Sequence, residues 1–540
     1  PYINILFPEP DTEYTHTVTV SDAVSHDAGS LTINNGGTLT HKGNTTAEAY
    51  KLILNVAGNM TVNAGGRIDA DAKGHASTFG PGGSGTWSAG HGGIGQGYGT
   101  YQYTPTYGSF TSPTNLGSGG AHSAGGGAIL ITVSNAAAIA GTVSAGGGDY
   151  GGGTGNCGAG GTISLMCGSI SGAGTLRANG GGDTVWGGGG GGRISVVLTS
   201  GGADFSGFSG QMTAYGGDSA TGGRDGSAGT IYLETGPDPA GQGTLIVDNN
   251  NLLTRASDRV ITTEIPGGQT WPVYNLVLRN GGVLDAPAGR TLDLKKDAVS
   301  GNIGSYTTNG LRLSGGNLLT TGTLSVVNWS LILDRPLTLT SDLTVQSNGV
   351  ITHTYNTTNE LHKMALTLNG NLTIQPGGRL DVEGKGYRIN AGPGYFSAGN
   401  GAAHGGEGGN GWPPGAYSNT PTYGSLLAPT NLGSGGPGSA GGGAVKLNAA
   451  TVALNGVISA NGMQGWGGTI SCGAGGSIWL TAGALSGNGV ISADGGSNTA
   501  WAGGGGGRIA VILTNATGLA GGIRVTAYGG DSATADRDGA

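Results

Sequence analysis

Two stretches of this 540-residue chain bring carboxylates and a guanidinium close together. GGDSATGGRDG holds Asp218, Arg224 and Asp225, and GGDSATADRDG repeats the set as Asp531, Arg537 and Asp538. Paired carboxylates beside a cation can do acid–base work, hold Ca²⁺ through carboxylate and carbonyl oxygens, or close an ion-paired loop. The tandem nonapeptide spacing of Gly-Asp calcium rolls is missing. The pattern is therefore read as an ion-paired loop, with calcium at Asp218, Asp225, Asp531 and Asp538 as the alternative and no other cofactor implied.

The remaining reactive side chains do not assemble into a catalytic set. Of the nine histidines, His91 (AGHGG) has a counterpart in His404 (AAHGG), whereas His75 and His122 meet Tyr387 and Gly438. Neither His91 nor His404 has a second His or a Cys close by, which points to structural or solvent-facing roles, and no Ser/His/Asp arrangement stands out. Cys157 (NCGAGGTI) and Cys472 (SCGAGGSI) share a context, while Cys167 is met by Ala482. The thiols are read as small buried side chains, or alternatively as a Cys157–Cys167 bridge between neighbouring turns, which would favour an oxidising compartment. Aromatic residues offer the better contact surface. GYGTYQYTPTYGS carries Tyr98, Tyr101, Tyr103 and Tyr107, and GWPPGAYSNTPTYGS carries Trp412, Tyr417 and Tyr423. Such rings could stack on sugar faces, or pack on glycine backbone or on a following unit. Their Pro and Gly neighbours favour packing in a fixed corner.

The repetition of these motifs leads to the elements that carry them. GSLTINNGGTLTHKGNTTAEAY and SDLTVQSNGVITHTYNTTNELH correspond at an offset of 312 (Leu31 to Leu343), and PTYGSFTSPTNLGSGG recurs as PTYGSLLAPTNLGSGG at 316 (Tyr107 to Tyr423). One unit of about 312 residues is thus read almost twice. The first copy spans 1–311, divided into coils 1–74, Gly-rich coils 75–236 and tighter coils 237–311. The second is truncated, 312–540, with coils 312–386 and Gly-rich coils 387–540. The chain begins PYINILFPEP, without Met or a signal pattern, and stops at TADRDGA where the first copy runs on into GTIYLET. The expectation is a window on a longer tandem array.

Within a unit, alternating strands start at Ala128, Thr162, Arg193 and Thr230, each turning into a second short strand and then a Gly-rich stretch. No two-residue Asn-Gly turn pairs them as hairpins, so coil-on-coil stacking is expected to satisfy backbone and apolar face together. KGNTTAEAYKLIL (42–54) is read as loop entering strand. Glycine supplies 120 of the 540 residues, against an average near 7%. There is no collagen period, and ordered alternation of Val, Ile, Leu and Thr argues against disorder. WGGGGGGR (186–193) contains an incidental G-x-G-x-x-G match, but it and WAGGGGGR (501–508) each lead into a strand and not a helix, so a dinucleotide site is not indicated. Ordered, extended polyproline-II-like segments packed side by side are expected, with Trp186 and Trp501 as lids and Arg193 and Arg508 capping the exit. A net charge of −8 gives no basic stripe for nucleic acid, and no apolar run is long enough to span a bilayer.

LTINNGGTLT, LTIQPGGRLDVEGKG and the GGGGGGRISVV and GGGGGRIAVIL modules resemble right-handed parallel β-helix surface proteins of bacteria, of the filamentous-haemagglutinin and autotransporter-adhesin type, with Gly-rich tandem repeats. The resemblance implies an all-β right-handed parallel solenoid with Gly-rich layers, located extracellularly or on a cell surface. It implies a structural or adhesive role in a fibre, appendage or matrix, with self-association and surface glycans as partners. The same fold also hosts polysaccharide lyases and hydrolases. A carbohydrate-active enzyme or a glycan-binding tip is therefore the alternative function.

Overall fold

The computed structural model of the chain describes all residues except 1–10, 15, 98–103, 151–154, 183–185, 221–223, 253–254, 257–258, 261, 269, 303–308, 397–398, 412–420, 466–470, 499–500, 516–518 and 533–536. Among the described residues the fold is all-β, and no helix is long and apolar enough to cross a membrane. Strands collect into sheets of thirteen, nine, nine, six and two strands.

The phased strands begin where the alternation starts: Ala128–Ile139, Thr162–Ser171, Arg193–Leu198 and Thr230–Glu234. They lie parallel and in register, so that Ile129, Ile163, Ile194 and Ile231 stand side by side, as do Ile131, Leu165, Val196 and Leu233. The Ile129-to-Ile231 row is fully buried, and each side chain of this kind contributes about 1.5–3 kcal/mol through apolar area removed from water. The short second strands form a separate parallel sheet, with Ile68, Val143, Leu176 and Met212 in line. The chain therefore alternates between the two sheets, with the Gly-rich stretches 145–161, 178–192 and 214–229 lying between the strands in sequence. The second copy repeats the arrangement with Ala444–Leu454, Ser477–Gly487 and Arg508–Leu513. Residues 42–50 are loop and lead into the strand Leu52–Val56, as the alternation indicates.

Two expectations need correction. Thr230–Glu234 and Thr244–Asp248 pair antiparallel, as a hairpin that the search for two-residue turns could not find. The nine-residue connection TGPDPAGQG reverses the chain by other means. Asp238 accepts from the Thr235 amide and hydroxyl, the Gln242 amide bonds Pro239, and Gly241 takes φ 75°. All three cysteines are buried and none forms a disulfide, so the reading of the thiols as buried side chains holds and the alternative Cys157–Cys167 bridge is not formed. The two thiols belong to different layers. Cys167 points into the apolar stack between Val133 and Leu198, where burial pushes it up to about 12. Cys157 sits in the glycine layer and donates to the Gly182 carbonyl at 3.0 Å.

The buried apolar residues form two large clusters, one running from Val18 to Ile231 and the other from Ala228 to Ala493. Phe110 lies in sequence among the residues of the first but packs in the second.

Candidate functional site

Glycines 187–192 run through the centre of a layer built from backbone alone. A Cβ on Gly187 or Gly190 would meet the carbonyls of Gln96 or Gly93; on Gly188 or Gly191, those of Gly217 or Ala214; on Gly189 or Gly192, those of Gly158 or Gly161. All six contacts would fall at 1.8–2.1 Å, closer than any real side chain approaches. The contacts recur every third residue, so the segment shows three faces to three neighbouring segments, the period of a threefold extended helix. None of the six takes positive φ. Close approach, and not left-handed backbone, is what demands glycine here. The hydrogen bonds run sideways. Gly93 N–H donates to Gly191 at 2.8 Å, Gly190 N–H to Ala89 at 2.9 Å, Gly217 N–H to Gly189 at 2.7 Å and Gly160 N–H to Gly190 at 2.9 Å. Residues 503–507 repeat the pattern, their would-be Cβ atoms 1.9–2.2 Å from the carbonyls of Gly530, Gly473, Gly406, Ala527 and Gly476.

Residues 105–118, the repeated PTYGS…NLGS loop, cross the starts of successive strands. At one end the Leu116 amide donates to Glu48 and Lys51 Nζ donates to the Thr114 carbonyl at 2.8 Å. Next, Thr162 Oγ1 donates to the Asn115 carbonyl at 2.7 Å, at the head of its strand. One strand further, Arg193 Nε donates to Tyr107 O at 2.8 Å and Ser195 Oγ to Thr111 O at 2.7 Å. Beyond that, the Phe110 ring packs 5.9 Å from Tyr232 and 4.6 Å from Trp271. The loop is a strap along the stack, and Phe110 anchors it in the second apolar cluster. Tyr107 tightens it internally, its hydroxyl donating to Leu116 O at 2.6 Å and lying 2.7 Å from Ser118 Oγ. Tyr423 repeats this with Leu432 O and Ser434 Oγ, and Arg508 Nε again donates to the carbonyl of the Tyr, at 2.7 Å. Burial pushes both phenols up. Of the aromatic residues singled out for contact, Tyr107 and Tyr423 thus turn their hydroxyls into the fold. Tyr98, Tyr101, Tyr103, Trp412 and Tyr417 lie outside the described residues.

Four buried histidines bolt the layers together. His91 Nδ1 donates to the Gly160 carbonyl at 2.8 Å and its ring lies 4.6 Å from Tyr107; His404 does the same with Gly475 and Tyr423. His41 and His353 were missed in the sequence, although they too are separated by 312. Nδ1 of each donates to the carbonyl of the next residue, at 2.9 and 2.8 Å. Nε2 accepts the amide of Ala128 at 3.2 Å or Ala444 at 3.3 Å, where a long strand begins. Donating at one nitrogen and accepting at the other fixes the ring as neutral. Burial accordingly lowers His41 to about 4 and His353 to about 3, and likewise lowers His91 to about 3 and His404 to about 4. Arg193 is fully buried, donating through Nη1 to Thr230 Oγ1 at 3.0 Å, and burial lowers it to about 10.

The aspartate loops close on themselves. Asp225 Oδ1 accepts the Ser219 amide at 2.7 Å, and Asp538 Oδ1 accepts the Ser532 amide at 2.7 Å, while Asp218 and Asp531 are exposed. Among the described residues no three His, Cys, Asp or Glu side chains gather as metal ligands. Trp501 lies over Gly399, a would-be Cβ there falling 3.4 Å from its ring, whereas Trp186 is joined to the loop through its carbonyl, which accepts from Ser219 Oγ at 3.2 Å. Comparison with family models, curated proteins and solved structures gives no match.

Proposed function

We propose that this chain is a structural segment of an extracellular fibre, surface appendage or matrix, its strands wound as a right-handed parallel β-helix and its glycine segments packed as polyglycine-II-like layers. One observation supports the reading above others: in both copies the matched pairs His91/His404, Arg193/Arg508 and Tyr107/Tyr423 spend their polar atoms on backbone carbonyls of the fold. Stiffness then comes from three sources in each unit, the parallel ladders, the glycine layer and the strap.

The reading has a dimension attached. From the Arg193 strand to its counterpart at Arg508 the path takes ten strand-to-strand steps, through the strands beginning at Thr230, Thr244, Thr270, Thr291, Asn317, Leu337, Met364, Ala444 and Ser477. At ~4.8 Å per step a unit advances ~48 Å. Electron microscopy of assembled material should show filaments with an axial repeat near that length. Discrete globular particles at all concentrations would refute the fibre role.

A further inference from the structure

Side chains along a strand point alternately to the two faces of its sheet, and in three neighbouring strands both faces carry apolar side chains that are covered. In Arg193–Leu198, Ile194, Val196 and Leu198 enter the first apolar cluster, while Val197 packs against the second. In Thr230–Glu234 the division falls between neighbours: Ile231 lies in the first cluster and Tyr232 in the second, both buried. Across the antiparallel pairing, Ile246 stands beside Ile231 and packs on the first cluster, and Leu245 stands beside Tyr232 in the second. By Thr270–Arg279 the exchange is complete. Leu276 and Leu278 stand beside Leu245 and Val247 in the second cluster, whereas Val277, in line with Ile246, is only half-buried.

The polar groups follow the same division. Ser195, beside Tyr232, turns its hydroxyl to Thr111 O, so the strap lies on the face opposite the first cluster and delivers Phe110 to the second. The Tyr232 hydroxyl donates to Glu234 and accepts the Gly243 amide at 2.7 Å, and Glu234 accepts the Gly241 amide at 2.8 Å, which closes the reversal. That reversal is the cause of the exchange. Parallel crossovers keep one hand. A coil that keeps its hand and its direction of advance while its strands turn round must exchange inner face for outer.

We infer that these three strands form a lap joint, one wall shared by two cores, with the coils before residue 235 on one face and those after 243 on the other. The later coils are displaced sideways by about 10 Å, one sheet-to-sheet spacing, and do not continue the axis of the earlier ones. The outer face of Arg193–Leu198 and Thr230–Glu234 is thus an interaction surface whose partner is the chain's own following coil. Apolar contact and the Tyr232–Glu234 network hold the two together. Because one strand belongs to both cores, damage to either passes to the other. The joint rests on the fold alone: a chain that never forms filaments loses the fibre role and keeps the joint.

Two measurements on the 540-residue chain test the joint. In the first, single cysteines report which faces are covered. Ile231→Cys and Leu245→Cys, on opposite faces, should both react with a maleimide about a hundredfold or more slower than Met166→Cys, whose side chain is exposed on the strand before the wall. Fast labelling at either would show one face open to solvent, and would overturn the shared wall. In the second, hydrogen exchange follows damage across it. Ile231→Ala, cut from the first core, should speed exchange of the Leu276 and Leu278 amides by about tenfold or more, and Leu245→Ala should do so for Ile194 and Val196. Leu39→Ala, in the first core but far from the wall in strand order, should leave Leu276 and Leu278 within about twofold of the parent. Where Ile231→Ala does not fold, Ile231→Val should give the same pattern at smaller amplitude. Changes confined to the core that was cut would overturn the coupling, as would an equal effect of Leu39→Ala and Ile231→Ala on Leu276 and Leu278.

Discussion

Replacing Gly190 by alanine isolates what the glycine layer contributes. The new Cβ would stand 2.0 Å from Gly93 O and 2.5 Å from Gly93 C, both backbone atoms that cannot rotate away. Restoring an ordinary carbon–oxygen contact requires the two segments to part by roughly 1 Å, which takes a lateral hydrogen bond of normal length out of range. Gly190 takes part in two such bonds, to Ala89 O and from Gly160 N, and its neighbour Gly191 accepts a third from Gly93 N. Each buried group left unpaired costs about 1–3 kcal/mol. Alanine recovers only about 0.4–1 kcal/mol by restricting the unfolded chain. A net loss of about 3–5 kcal/mol is expected from urea unfolding, together with faster exchange of the Gly93 and Gly160 amides. Gly85 is the matched control, because a Cβ there meets nothing within 4 Å. Gly85→Ala should leave stability within about 0.5 kcal/mol of the parent. Equal, small effects at the two sites would show that 187–192 does not pack against 93–96, and the layer as described would fall.

The strap and the histidines give further outcomes. Phe110→Ala should cost about 3–5 kcal/mol in chemical denaturation by opening a cavity beside Tyr232 and Trp271, while Leu426→Ala at the exposed counterpart should cost less than about 0.5 kcal/mol. The neutral state of His41 contributes stability that is complete above the unfolded value of 6.5 and is lost as pH falls towards about 4, because the unfolded chain takes up the proton first. Between about pH 7 and about pH 4.5 this amounts to about 2–3 kcal/mol, so urea midpoints at the two pH values should converge in His41→Gln relative to the parent. With Cys167 held near 12 and all three thiols buried, Ellman's reagent should find no reactive cysteine in the native protein and three once it is unfolded.

The strand stack was legible because two-residue alternation and in-register stacking report the same thing. Ile163, Ile194 and Ile231 occupy equivalent places in their strands, and those places proved adjacent. The lateral packing of glycine could be anticipated from the constant length of the run between Trp and Arg in the two copies, which a free loop has no reason to keep. The partners of the strap could not be read, because Thr162, Arg193 and Ser195 meet it through its carbonyls, and a carbonyl has no residue type. The hairpin at Thr230–Glu234 escaped for a related reason: its reversal rests on Asp238 binding backbone, not on a two-residue turn signal. The cysteine bridge failed because nearness in sequence was taken for nearness across layers. His41 and His353 carried a readable signal, a matched offset of 312, but single histidines in alternating strands look like any other inward-facing residue.

The threefold contact pattern of 187–192 also has a consequence for alignment. Gly187 and Gly190 face one neighbour, Gly188 and Gly191 a second, Gly189 and Gly192 a third. A slip of three residues along the axis would bring like against like, so the layer alone cannot tell one register from the next. The discrimination has to come from outside, where Arg193 binds the strap and Ile194 enters the apolar row. The glycine segment behaves as an unmarked rule whose scale is set by the strand that follows it. Both copies accordingly keep six residues between the tryptophan and the arginine, and insertion of a single residue there would rotate the whole following strand out of its row.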